Sequence, residues 1–134
     1  MNQTQGQIEA AITEEIIKFE KEFTGRGPTG CRTHLVEDLV VVHLRGDLTQ
    51  GEYQLAKTEV IIAGNGFQQQ TMRELIKAVR REVLEKGRPL LEKAVHSLTG
   101  RQVLSLHTDI STMNGDRVIV FLLDGVPSVL DAKS

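Results

Sequence analysis

Cys31 to Leu35 and Leu39 to Arg45, rich in Thr, Val and Leu, read as strands on either side of Glu37-Asp38. Side chains along a strand point to its two faces with a period of two. A turn at Glu37 and Asp38 puts Cys31, Thr33, Leu35, Val40, Val42 and Leu44 on one face, and Arg32, His34, Val41, His43 and Arg45 on the other. The first face is made for a core; the second is cationic. The pattern returns from Val103 to Asp124 around Asn114-Gly115, a dipeptide suited to a type I′ turn because both positions tolerate positive φ. Pairing about that turn gathers Leu104, Leu106, Ile110, Ile119, Phe121 and Leu123, and places Ser105, His107, Asp109, Val118, Val120, Leu122 and Asp124 opposite.

The segments around the hairpins have the period of helices. Thr4 and Gln7 form a capping box ahead of a stripe of Ile8, Ile12, Ile16, Phe19 and Phe23 that Gly25 ends. Thr49 and Glu52 repeat the capping box, with Leu48 and Tyr53 at hydrophobic-staple spacing, and predict a helix to about Ile62, where Gly64-Asn65-Gly66 interrupts. From about Gln68 a third stripe, Met72, Leu75, Ile76, Val79 and Val83 and then Leu90, Leu91, Ala94, Val95 and Leu98, runs to Thr99-Gly100. Pro89 lacks an N–H and crowds the carbonyl four residues back, which predicts a kink or break near Lys86 to Arg88. The order helix, β-hairpin, helices, β-hairpin predicts an α+β domain, a four-stranded antiparallel sheet with helices on one face. That domain is expected over residues 1–125, with 126–134 as a C-terminal tail.

Composition narrows the function classes. The chain has 134 residues, 16 basic against 18 acidic, one cysteine and no tryptophan. Cys31 has no internal disulfide partner, and no apolar run approaches the length of a membrane span, so a cytoplasmic protein is expected. One Tyr and four Phe give no stacking platform, so nucleic acid is not an expected partner. The region 67–101 carries eight basic residues against four acidic, with Arg73, Lys77 and Arg81 at steps of four, a stripe suited to a solvated face or an acidic partner.

Three sites follow from these placements. Arg32, His34, Val41, His43 and Arg45 of one hairpin and Val118, Val120 and Leu122 of the other form a mixed face with enough apolar area to need a partner, and a homodimer or a heterologous protein interface is the first reading. His34, His43, His107 and Asp109 on that face are an alternative metal-ligand set for a metal-dependent enzyme, although their spacing does not force convergence. The loop Gly25-Arg26-Gly27-Pro28 offers backbone N–H groups and a guanidinium to a small anion such as bicarbonate or phosphate, without any phosphate-loop pattern. No catalytic residue and no cofactor is assigned, because neither a nucleophile elbow nor a triad spacing is present.

The ordered set of GRGP at 25–28, VVVHLRGDLT leading into LTQGE at 48–52, MRELIKAVRREV at 72–83, RPLLEKAVHSLTGRQV at 88–103, HTD at 107–109 and VFLL at 120–123 resembles the MpsC-like family. The likeness covers residues 5–124. It implies a small soluble bacterial domain linked to a membrane system for cation translocation, membrane potential and inorganic-carbon uptake. The resemblance supplies no catalytic residue; with no apolar run long enough to span a membrane, the chain is not expected to translocate an ion itself, so the implied role is accessory or regulatory, through docking on a membrane-associated complex. The chain departs from the family pattern in LTQGE, where the family tends to have a small or Pro residue after the Leu-Thr, and in the GNGFQQQ stretch.

Overall fold

The structure, a computed structural model, describes residues 3–58, 61–63 and 69–131. Helix α1 (Gln5–Thr24) starts at the Thr4 capping box, where the Thr4 hydroxyl accepts from the Gln7 N–H and the Gln7 side chain accepts from the Thr4 N–H. Gly25, at φ 89°, ends it in the left-handed conformation. Strands β1 (Gly30–Val36) and β2 (Leu39–Arg45) then pair antiparallel across Glu37-Asp38, with Glu37 itself at φ 55°. Helix α2 (Gln50–Lys57) is followed by short strands β3 (Ile61–Ala63) and β4 (Gln69–Thr71), and the long helix α3 (Met72–Thr99) leads through left-handed Gly100 into β5 (Val103–Ile110) and β6 (Arg117–Leu123). A helical turn α4 (Ser128–Asp131) closes the described chain.

The two hairpins join into one antiparallel sheet of order β1-β2-β6-β5, with α1 and α3 packed on a single face. The α+β architecture is therefore the one the alternation predicts. Val40, Val42, Leu44, Ile119 and Phe121 are fully buried, and with Leu35 and Leu123 they meet Ile8, Ile12, Ile16 and Phe19 of α1 and Leu84, Leu91 and Val95 of α3. A smaller cluster of Leu48, Ala56, Ile76 and Ile110, with Tyr53 against it, seats α2 on α3. This is where the Leu48–Tyr53 staple acts.

Several expectations are corrected. The α2 helix stops at Lys57 and not near Ile62, because Ile61–Ala63 pairs with Gln69–Thr71 as a strand. The Gly64-Asn65-Gly66 interruption lies outside the described residues. Helix α3 begins at Met72 and runs unbroken through Pro89. Burial of Leu84, Leu91 and Val95 against one core holds both halves, and Arg88 spans the proline with contacts to Glu85 at 3.5 Å and Glu92 at 2.6 Å. Its buried face is Ile76, Leu84, Leu91 and Val95, whereas Val79 and Leu90 are exposed, as is Phe23 on α1. In the second hairpin Asn114 does not take a positive φ. A six-residue connection replaces the type I′ turn, tied by Ser111 N–H to Asp116 O and Gly115 N–H to Ser111 O, both at 2.8 Å. A bulge between Val103 and Ser105 turns Leu104 outward, 62% exposed, and brings Val103 to the core in its place. Beyond residue 125, Pro127 is buried, and Val129 and Leu130 lie against the main core.

Gly87 leaves room for the buried Phe19 ring against α3, since a Cβ there would lie 1.9 Å from that ring. Gly87→Ala gains helix propensity but must displace that ring, so we expect a net loss of about 1–3 kcal/mol in urea unfolding. The loss should shrink in a Phe19→Leu background.

Candidate functional site

The strand register arranges the uncovered side of the sheet in rows. One row reads Val36, Leu39, Leu122, Ser105 from β1 to β5; the next His34, Val41, Val120, His107; the third Arg32, His43, Val118, Asp109. All eight residues expected at an interface, Arg45 included, lie on this side. No helix covers it among the described residues, because α1 and α3 occupy the opposite face, and Val36 and Val118 are 50% and 41% exposed. An aliphatic centre thus passes into a charged end that is basic on the β1–β2 side and acidic on the β6–β5 side.

The rows do not bring the metal set together. His34 and His107 stand at opposite ends of one row, three strand spacings or about 14 Å apart, while zinc ligands sit ~2.0–2.2 Å from the metal. His43 and Asp109 are separated by Val118. Among the described residues no group of three His, Cys, Asp or Glu side chains converges as a metal site. Their contacts lie elsewhere: His43 Nε2 is 3.3 Å from Asp116 Oδ2, and Asp109 Oδ1 is 3.1 Å from Lys77 Nζ and accepts the Ile110 N–H. Ser105 Oγ approaches His107 Nε2 at 3.1 Å.

The loop of Gly25, Arg26 and Gly27 is held to the fold. Arg26 donates to the carbonyls of Gly46 at 2.8 Å, Leu48 at 2.6 Å and Gly27 at 3.2 Å, so its guanidinium splints the connection between β2 and α2. The Gly25 N–H goes to Lys21 O.

Sequence reasoning missed a buried ionic cluster. Glu20 of α1, Asp47 after β2, Arg80 of α3 and Arg117 of β6 are all within the core, at 0, 5, 2 and 3% exposure. Arg80 lies 3.5 Å from Glu20, 3.3 Å from Asp47 and 3.3 Å from the partly exposed Glu52, and it donates to the Asp47 carbonyl. Arg117 lies 3.8 Å from Glu20 and 3.6 Å from Asp47, and donates to Thr108 Oγ1 at 3.0 Å and to the Arg80 carbonyl at 3.4 Å. The signal was present in the periodicity. Glu20 is four residues past Ile16, Arg80 lies midway between Ile76 and Leu84, and Arg117 is in phase with Ile119 and Phe121. Each occupies a core position of its own element.

Burial sets the chemistry of this cluster. Loss of solvation and the neighbouring Asp47 carboxylate push Glu20 up to about 7, against the pull of Arg80 and Arg117. Desolvation draws Arg117 below its usual range. Burial, with Asp47 and Glu20 nearby, pushes the Cys31 thiol up to about 11, so it is not an activated nucleophile at neutral pH. The cluster ties four segments together and offers its charges to one another.

The family model described as "Na+-translocating membrane potential-generating system (MpsC)" matches residues 4–125. A Bacillus subtilis (strain 168) protein, "Uncharacterized protein YbcI", is 35% identical over 123 residues, covering 92% of this chain and 90% of the relative. No solved structure matches.

Removing one partner of a buried ion pair leaves a charge without compensation, so Arg80→Met should cost about 3–5 kcal/mol in urea unfolding, far more than a surface Arg→Met change. The raised Glu20 gives a second expectation. Between about pH 4.5 and 7 the folded state holds a proton that the unfolded state releases, so this group's stabilisation is greatest at the acid end and fades as pH rises to about 7. Glu20→Gln should abolish that slope in unfolding midpoints taken across the window; parallel curves for the two proteins would count against it.

Proposed function

Because the chain belongs to the MpsC family, we propose that it is a non-enzymatic accessory or regulatory protein of a cytoplasmic-side membrane assembly for cation translocation or inorganic-carbon uptake. It acts through protein–protein contacts and works as a homodimer. The observation that carries this reading is the open sheet face, an aliphatic centre at Leu39, Val41, Val120 and Leu122 with no helix of its own above it among the described residues. The internal charges support it from the other side, since the buried carboxylates face guanidinium groups. The family description supplies the membrane system. No helix among the described residues is long and apolar enough to cross a membrane, and the reading accordingly gives the chain a docking part.

The test is complementation. Cells lacking the protein should show an altered membrane potential by a potential-sensitive dye, restored by the wild-type chain. Val41→Asp, expressed as folded protein at the same level, should restore it at least ~10-fold less well, because a carboxylate at the centre of an apolar contact surface must be desolvated. Full restoration by Val41→Asp would contradict the role of this face.

A further inference from the structure

We propose that the open sheet face binds a second copy of this chain about a two-fold axis that runs parallel to the strands, between β2 and β6. The inference rests on the reading of that face as a contact surface, and the sheet's own register selects the axis. Two sheets that meet face to face by a two-fold rotation have two simple choices of axis in their common plane, and an isologous interface must be self-complementary about the one it uses.

An axis parallel to the strands lays β1 and β2 of one copy over β5 and β6 of the other and keeps every row on itself. Val41 then meets the partner's Val120, and Leu39 the partner's Leu122. In the charged row Arg32 meets the partner's Asp109, twice by symmetry. His34 and the partner's His107 meet as like side chains. An axis perpendicular to the strands keeps each strand on itself and reverses the rows. It would set Arg32 on the partner's Val36 and Asp109 on the partner's Ser105, so that neither charge meets an opposite one. Both choices set aliphatic on aliphatic at the centre, and the first leaves His43 on the partner's Val118, but only the first sets basic on acidic.

Asp109 is suited to this contact. Lys77 holds it at 3.1 Å, yet its side chain is 77% exposed at the edge of the sheet. The patch is small: four strands at ~4.8 Å spacing and about seven residues of ~3.3 Å rise project to roughly 400 Å² per copy. That is below the ~800 Å² per partner of a stable complex, so the dimer is concentration-dependent, with a dissociation constant in the micromolar range or weaker.

Sedimentation velocity on the full chain from about 10 to about 500 µM tests the proposal over the range expected for such an interface. The wild type should pass from monomer toward dimer. Arg32→Glu and Asp109→Arg should each weaken association at least ~3-fold at low salt, and the double variant should restore it, because the swapped charges face each other across the same axis. A wild type that stays monomeric throughout overturns the proposal. If Val120→Asp, shown folded by circular dichroism, abolishes the dimer while the charge swap gives no rescue, this axis is wrong and the contact face stands. A dimer untouched by Val120→Asp would remove the face itself.

Discussion

The pairing of β2 with β6 is the contact on which the rest of the molecule depends. Each hairpin alone is a two-stranded ribbon with one apolar side, which is marginal in water. Val40 to Leu44 aligned with Arg117 to Phe121 makes them one sheet, broad enough for α1 and α3 to lie side by side on it. The same alignment sets both faces at once. It stacks Val40, Val42, Ile119 and Phe121 into the core and leaves Val41 and Val120 side by side outside. A slip of one residue would exchange the two sets, so the register of this central pair is strongly specified by burial.

That register also explains the ionic cluster. Leu44 opposite Arg117 brings a guanidinium to the inner face at the end of β6, beside the turn carrying Asp47. Glu20 and Arg80 reach the same place from the two helices because each follows the apolar stripe of its own helix. Such a cluster adds little net stability over an apolar core of equal volume, since desolvation of the charges offsets their attraction. It does fix how α1, α3, β6 and the loop before α2 meet. Glu52 shows the economy of the junction: one carboxylate oxygen closes the capping box with the Thr49 N–H at 2.9 Å, and the other lies 3.3 Å from Arg80.

Most of the architecture was legible because period two and period 3.6 are strong signals over long segments. The inner faces of both hairpins, the capping boxes at Thr4 and Thr49 and the left-handed glycines at 25 and 100 could all be read directly. The errors have local causes. Leu104 leaves the alternation because a bulge shifts phase without changing composition, and α3 continues through Pro89 because the packing of Leu84, Leu91 and Val95 outweighs one missing hydrogen bond. The ionic cluster is hidden from a reading of polarity alone, because charge is ordinarily a mark of surface. Glu20, Arg80 and Arg117 are charges at core phase, and each is sheltered by partners far away in sequence. The histidines show the reverse: three of them share a face, yet the spacing across the sheet keeps them apart.

The functional reading follows from where the two kinds of chemistry are placed, charge enclosed within and aliphatic surface left outside. Methyl spectra with a soluble nitroxide test that placement most directly. At low protein concentration the methyls of Val41, Val118, Val120 and Leu122 should broaden while those of Val40, Val42 and Ile119 stay sharp, and at high concentration the first group should become protected as well. Outer methyls as shielded at low concentration as the core set, or equally accessible at every concentration, would contradict the account.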